Sequence, residues 1–227
     1  MRAYWARAGN NFGDVLTPLL FESVGRIRLE WVEREEAELF AIGSIAELIP
    51  RGYTGLVVGT GCMFSDPIEL DHADVRALRG VMTSRLAGLH PPLLADLGLL
   101  APDLLPAPPR RRDLPIGTVR AGGDPRPPMG VTLDPAGDPL EMIATAARCE
   151  RIVSSSLHGL ILADALGIPN MWDPFSTAPP FKFRDYASAY GESIEPYRWR
   201  VADQVQVETK QWALRGILAS LSAGVPA

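Results

Sequence analysis

The sequence predicts an α/β chain built from parallel strand–helix units, and three features carry that expectation. Short apolar runs rich in β-branched residues alternate with segments of helical spacing, glycine-containing turns punctuate them, and small or polar residues follow four of the runs directly. In open parallel sheets the loops at the carboxyl ends of strands share one ligand crevice, so these four loops are where a site is expected. The 227 residues suffice for one large domain or two small, tightly joined ones, and 47% hydrophobic content supplies a core.

Candidate strands are 3–5, 27–32, 39–42, 55–58, 75–78, 116–119, 151–154 and 170–172. The loops following four of them are 10–14, Gly43-Ser44, Gly59-Thr60-Gly61 and Ser154-Ser155-Ser156. The best-specified segment is 138–172. There Asp138 is a helix N-cap, Pro139 suits the first helical position, and Glu141 completes a capping-box pattern. Leu140, Ile143, Ala144 and Ala147 then fall on one expected helix face. A second helix runs from the strand 151–154 to about Leu166, where Gly167 and Pro169 stop it. It is apolar nearly all round and should be buried.

The stretch 91–128 is rich in proline and arginine, includes Pro106-Ala107-Pro108-Pro109, and reads as an inter-domain linker with one strand after it. The boundary is placed near Leu105, giving an N-terminal unit 1–105, a C-terminal unit 106–202, and a helix and tail 203–227.

The net charge of -5 balances 27 acidic against 22 basic side chains without an extended basic surface, which argues against nucleic acid as a partner. An anionic ligand must then be met by a few local cations or backbone amides. Cys62 and Cys149 have no metal-like spacing with His72, His90 or His158, so free buried thiols in a reducing compartment and no metal site are expected. The start of the chain reaches polar Asn10 and Asn11 before a signal-like apolar core forms. The apolar run 157–168 is interrupted by Asp164 and too short for a bilayer. A cytoplasmic protein with at most peripheral membrane contact is expected.

The residues suited to chemistry begin with Ser154-Ser155-Ser156-Leu157-His158-Gly159. Three hydroxyls between a strand and a helix N-terminus suit a phosphate or carboxylate, and His158 in the first turn can donate a hydrogen bond or a proton. The plainer reading is a serine cap with a surface histidine. In Asn11-Phe12-Gly13-Asp14, Gly13 allows close approach of backbone to ligand. Asp14 either accepts a hydroxyl proton or merely caps its helix. Arg79 follows the strand 75–78 and is expected to point into the crevice as an anion clamp opposite His158, with Arg85 solvated. Gly61 belongs to a phosphate- or sugar-compatible turn. Lys182 lies in Lys182-Phe183-Arg184-Asp185-Tyr186, which a solvated loop leading into a helix explains nearly as well. His72 and His90 read as surface loops.

Taken together, these residues resemble the polysaccharide pyruvyl transferases. The resemblance rests on Asn11-Phe12-Gly13-Asp14, Ile42-Gly43-Ser44, Gly59-Thr60-Gly61, Arg79-Gly80 with Thr83, and Ser154 to Ile161. It continues through Ala163-Asp164-Ala165, Gly167-Ile168-Pro169, and Lys182-Phe183 with Asp185-Tyr186, in order along most of the chain. It implies two Rossmann-like units with parallel sheets, GT-B-like, with a ligand cleft between them. It further implies transfer of pyruvyl from phosphoenolpyruvate, as co-substrate rather than cofactor, to two hydroxyls of a sugar acceptor, leaving a cyclic ketal and phosphate. The acceptor's carrier, lipid or nucleotide, and the oligomeric state stay open. His158 and Arg79 match residues at the phosphoenolpyruvate site, and Asp14 matches an early family aspartate. Two departures stand out. Arg120-Ala121-Gly122 replaces a histidine and an aromatic residue after 116–119, and Ala95-Asp96-Leu97-Gly98 replaces a Gly-Asp-Pro-like turn. A GT-B glycosyltransferase using a nucleotide sugar and a non-catalytic sugar-binding relic remain as alternatives.

Overall fold

The computed structural model describes residues 1–7, 11–107, 111–175 and 179–223. Asn10, Pro108, Pro109, Arg110 and the tail 224–227, which entered the sequence reading, lie outside the described residues.

Two five-stranded sheets organise the chain. The first contains β1 (Arg2–Tyr4), β2 (Glu30–Trp31), β3 (Leu39–Phe40), β4 (Leu56–Thr60) and β5 (Asp74–Leu78), all paired in parallel in the order β2-β1-β3-β4-β5. The second contains β6 (Gly117–Val119), β7 (Val131–Thr132), β8 (Ile152–Ser154), β9 (Asn170–Trp172) and β10 (Trp199–Arg200). Its order is β10-β9-β8-β6-β7, and only β10 runs antiparallel. Counted from β6, this repeats the order of the first sheet. Each sheet therefore reverses strand order between its first and third strands, the place where open α/β sheets bind ligands. All eight expected strands are present. The two unexpected ones, β7 and β10, are two-residue edge strands, too short to show alternation.

The helices are α1 (Phe12–Ser23), α2 (Val81–Leu86), α3 (Pro139–Ala147), α4 (Leu157–Ala165), α5 (Phe181–Ser188) and α6 (Gln204–Ala223). The Asp138 carboxylate caps α3, accepting from the backbone N–H of Leu140 at 2.7 Å and of Glu141 at 3.4 Å. The buried face of α3 differs from the expected one. Met142, Ile143, Ala146 and Ala147 are buried, whereas Leu140 is 43% exposed. A helical side chain leans over the turn preceding it, and in the first turn there is none, so Leu140 projects past the core. Helix α4 is buried from Leu157 to Asp164, as its all-round apolar character requires, and Gly167 ends it at φ 63°.

The stretch expected to be a linker starts as core. Residues Leu97–Leu104 form a 3-10 segment whose Leu97 to Ala101 are buried against α1, α4 and α6. The later prolines dominated its composition, and the leucine-rich run has neither helical nor strand period. Helix α6 returns to this segment. Lys210 Nζ donates to the carbonyl of Leu94 at 2.8 Å, Gln211 Nε2 donates to the carbonyl of Leu99 at 2.9 Å, and Arg215 pairs with Asp103 at 2.7 Å. Cys62 and Cys149 are free and buried, and His72 and His90 are exposed.

Elements of the two sheets meet where α2 packs on α5. Arg79, at the end of β5, and Asp185, on α5, are both fully buried and joined by a 2.9 Å contact from Nε to Oδ2. Asp185 also accepts from the Thr83 backbone N–H at 2.7 Å and the Thr83 hydroxyl at 2.8 Å. The chain comes so close that a Cβ at Gly80 would stand 1.8 Å from the Asp185 carbonyl oxygen. Removing one member of such a pair leaves a buried charge without its counterion, so Asp185→Ala is expected to cost about 3–5 kcal/mol in urea unfolding. A loss under about 1 kcal/mol, the scale of exposed pairs, would show that the joint does not depend on it.

Candidate functional site

The loops after β1, β3 and β8 and the first turn of α5 converge on a cleft of about 280 Å³. Its polar lining is Asn11, Asp14, Ser44, Ser156, His158 and Lys182, and Ile45, Leu48, Met63 and Leu157 supply apolar wall. It thus lies at the β1/β3 reversal of the first sheet and faces the β8 end of the second. A larger hollow of about 550 Å³ beside it sets Glu47, Asp66 and Glu69 against Arg51. Its Glu47 carboxylate is already committed to the backbone N–H groups of Met63 and Phe64. The smaller cleft is the one where several titratable groups with displaced pKa values meet.

Asp14 is the third residue of α1, and Asn11 is the capping residue, so capping does not account for the aspartate. The Asn11 side-chain amide donates to Asp14 Oδ2 at 3.3 Å. Burial pushes the Asp14 carboxyl up to about 6, against the opposing pull of that hydrogen bond and of the Lys182 charge. Lys182 is held below the usual ammonium range by burial and by the Arg79 charge, and Asp14 opposes this.

His158 sits in the first turn of α4, 7% exposed. Its imidazole packs so closely on α1 that a Cβ at Gly13 would stand 1.9 Å from Nδ1. Gly13 therefore makes room for the ring, not for a ligand. Burial lowers the imidazole to about 3, with the Lys182 and Arg79 charges adding to the shift, so His158 is neutral at ordinary pH. Its Nε2 is buried without a hydrogen-bond partner.

Four residues expected to contact ligand, Arg79, Gly61, Ser154 and Ser155, face inward instead. Arg79 does not line the cleft; it is fully buried behind it, donating to Asp185, to Ser44 Oγ at 2.6 Å and to the Cys62 carbonyl at 2.5 Å. A fully buried guanidinium must be paired, and Asp185 is its counterion here. Gly61 lies against this group, where a Cβ would stand 2.5 Å from Arg79 Cζ. Ser154 Oγ bridges the backbone of Ser156, accepting from its N–H at 3.0 Å and donating to its carbonyl at 2.7 Å. Ser155 Oγ donates to Asp124 Oδ2 at 2.8 Å and accepts from the Ala121 N–H at 2.9 Å. Only Ser156, which precedes α4, reaches the cleft wall.

Sequence reading missed a second ion network at the carboxyl end of the second sheet. Arg120 and Arg126 pair with Asp124 and Asp173, and Ser155 anchors the loop. An arginine directly after β6, Arg120, and an aspartate directly after β9, Asp173, were the available signal. Among the described residues no three His, Cys, Asp or Glu side chains are grouped as metal ligands, and no helix is long and apolar enough to cross a membrane.

A family model described as polysaccharide pyruvyl transferase matches residues 69–172. The chain is 30% identical over 237 aligned positions to the succinoglycan biosynthesis protein ExoV of Rhizobium meliloti (strain 1021), spanning 91% of this chain and 70% of that protein. The chain belongs to the polysaccharide pyruvyl transferase family. A shorter stretch of 54 residues is 44% identical to uncharacterized protein L143 of Acanthamoeba polyphaga mimivirus, covering 22% of this chain and 19% of that protein. No solved structure matches significantly. Within this pyruvyl transferase, the segment matched by the family model contains Arg79, Ser154 to Ser156 and His158, while Asp14 and Lys182 fall outside it.

The raised carboxyl of Asp14 has a measurable consequence. The native state keeps this proton up to about pH 6, whereas the unfolded chain releases it near the ordinary value of 3.8. Between those values the native state binds more protons, so stability falls as pH rises and the full penalty persists above pH 6. Asp14→Asn removes the penalty. The variant should unfold at a higher temperature than wild type near pH ~8, with the gap closing towards pH ~4. A difference independent of pH would place Asp14 in solvent.

Proposed function

We propose that this transferase takes its pyruvyl group from phosphoenolpyruvate and delivers it to two hydroxyls of a sugar in a polysaccharide precursor, forming a cyclic ketal and releasing phosphate. The observation that carries the reading is the meeting, in one cleft, of a carboxylate tuned to about 6, a buried neutral imidazole and an ammonium. The kinship with a succinoglycan biosynthesis protein points the same way for the acceptor class.

The chemistry divides among these groups. Asp14, with its raised pKa, accepts the proton of an acceptor hydroxyl as the oxygen bonds to the donor's C2. The donor's methylene carbon takes a proton at the same stage. Burial keeps His158 neutral, but a bound anion favours imidazolium, so the donor itself loads the acid. The second hydroxyl then bonds to C2 as the C–O bond to phosphate breaks; its proton passes to His158, neutral after serving the methylene carbon, and Asp14 returns its own proton to the departing phosphate. Lys182 and the amides at the start of α4 stabilise the departing charge, and Arg79 adds positive potential from beneath.

One observation bears on the nucleotide-sugar alternative. The strand-order reversal of the second sheet, where a nucleotide would be expected, is taken up by the Arg120, Asp124, Arg126 and Asp173 network. Calorimetry should give a binding heat with phosphoenolpyruvate and none with nucleotide diphospho-sugars, and phosphate should appear only when a diol-bearing sugar is added. Tight nucleotide-sugar binding without a phosphoenolpyruvate signal would return the protein to the glycosyltransferase class. His158→Ala should keep the fold and lose about 10²-fold or more in turnover. A rise in apparent KM with kcat unchanged would instead make His158 a substrate-holding group.

A further inference from the structure

We propose that Asp96 is a positioning residue for His158, holding the imidazole Nε2–H on the Gly98 side and leaving Nδ1, on the α1 side of the ring, without a proton. Two of the few buried side-chain atoms without a hydrogen-bond partner are Asp96 Oδ2 and His158 Nε2. Buried polar atoms are nearly always satisfied, so two complementary orphans in one neighbourhood call for a common explanation.

Gly98 defines that neighbourhood. A Cβ built there would stand 3.0 Å from Asp96 Oδ1 and 3.6 Å from His158 Cδ2, the carbon bonded to Nε2. Carboxylate and imidazole thus both border the space that a methyl group on Gly98 would take. The Gly98 N–H donates to Asp96 Oδ1 at 2.8 Å, which fixes the carboxyl group and leaves Oδ2 unused. Arg79 is near, but its nitrogens go to Asp185, Ser44 and Cys62. Neither atom has a hydrogen-bond partner in the protein, so the step from Oδ2 to Nε2 is closed by one buried water, which needs polar partners of this kind.

The other end of the ring supports the same assignment. Nδ1 lies against Gly13 at the start of α1, and His158 is part of the cleft wall. With the proton fixed on Nε2, Nδ1 keeps its lone pair on that side. Asp96 comes from the segment that extends the first sheet beyond the Leu78–Leu94 bridge, and His158 from the second unit, so the link ties the reactive imidazole to both. The consequence for turnover rests on the pyruvyl-transfer reading, whereas the tautomer does not.

The test is long-range 15N–1H correlation of the imidazoles in labelled protein. The chain has three histidines, so His158→Ala assigns the signal. Wild-type His158 should be the Nε2–H tautomer. In Asp96→Asn the side-chain oxygen keeps the Gly98 bond and the amide nitrogen donates to the bridging water, which then donates to Nε2, so the ring should switch to the Nδ1–H tautomer. With phosphoenolpyruvate and an acceptor, kcat should fall about 10²-fold with little change in KM. An Nδ1–H tautomer in wild type, or the same tautomer in both proteins, overturns the proposal. If Asp96→Asn does not fold, the wild-type spectrum decides alone. Failure of the pyruvyl-transfer reading would look different: the tautomer switch present, with no turnover of phosphoenolpyruvate in either protein.

Discussion

The buried contact between Arg79 and Asp185 is the constraint on which the rest of the site depends. Taking two charges out of water is costly, and their attraction compensates only when the geometry is well satisfied. Here Thr83, Ser44 and the Cys62 carbonyl complete the shell, so one arrangement of α2 against α5 is selected over its neighbours. Lys182 lies three residues before Asp185 on α5, on the same side of the helix. Fixing the aspartate beneath α2 therefore also sets where the ammonium stands over the cleft. An arginine expected to touch ligand instead specifies the site's shape and contributes its field from behind.

Burial is the dominant cause of every large pKa displacement around the cleft, and it acts in opposite senses on acids and bases. The carboxyl is pushed towards its protonated form, and the imidazole and ammonium towards their neutral ones. The site is consequently less charged than its side chains imply. A multiply charged anion changes the balance of all three groups at once, which couples donor binding to the proton inventory that the chemistry needs. The close fit of Gly13 against the His158 ring makes that coupling local, because the imidazole has no room to swing away from the charge.

Much of the fold was legible in the sequence because parallel strands buried on both faces give continuous apolar runs, as at Leu56 to Val58 and Ile152 to Val153. Asp138 and Gly167 marked helix ends by local chemistry alone. What escaped was set by tertiary context. The 97–104 segment has no periodicity and is buried because α1, α4 and α6 close on it. In the site, the loops bearing Asp14, Ser156 and His158 could be read from their position after strands. The direction each side chain takes could not. Ser154, Ser155 and Arg79 satisfy buried partners brought from 2 to 106 residues away, and nothing in their own segments announces the distant ones. Asp96 showed only as a departure from a family pattern, since its meaning lies in an imidazole 62 positions later (158 less 96).

The return of α6 onto the middle of the chain also bears on how the protein is made. Leu94 and Leu99 receive their side-chain partners from Lys210 and Gln211, more than 110 residues later. During synthesis the leucine-rich 97–104 segment can pack on α1 at first and on α4 later, and its burial is complete only once α6 has left the ribosome. At about 5–20 residues per second this is a delay of several seconds or more. The first sheet can pair its strands early, yet its core is not sealed until the far end of the sequence arrives. Such long-range closure slows folding and leaves a sticky intermediate in the interval. Chaperone dependence and yield on expression should therefore be governed by the C-terminal helix more than by any residue of the cleft.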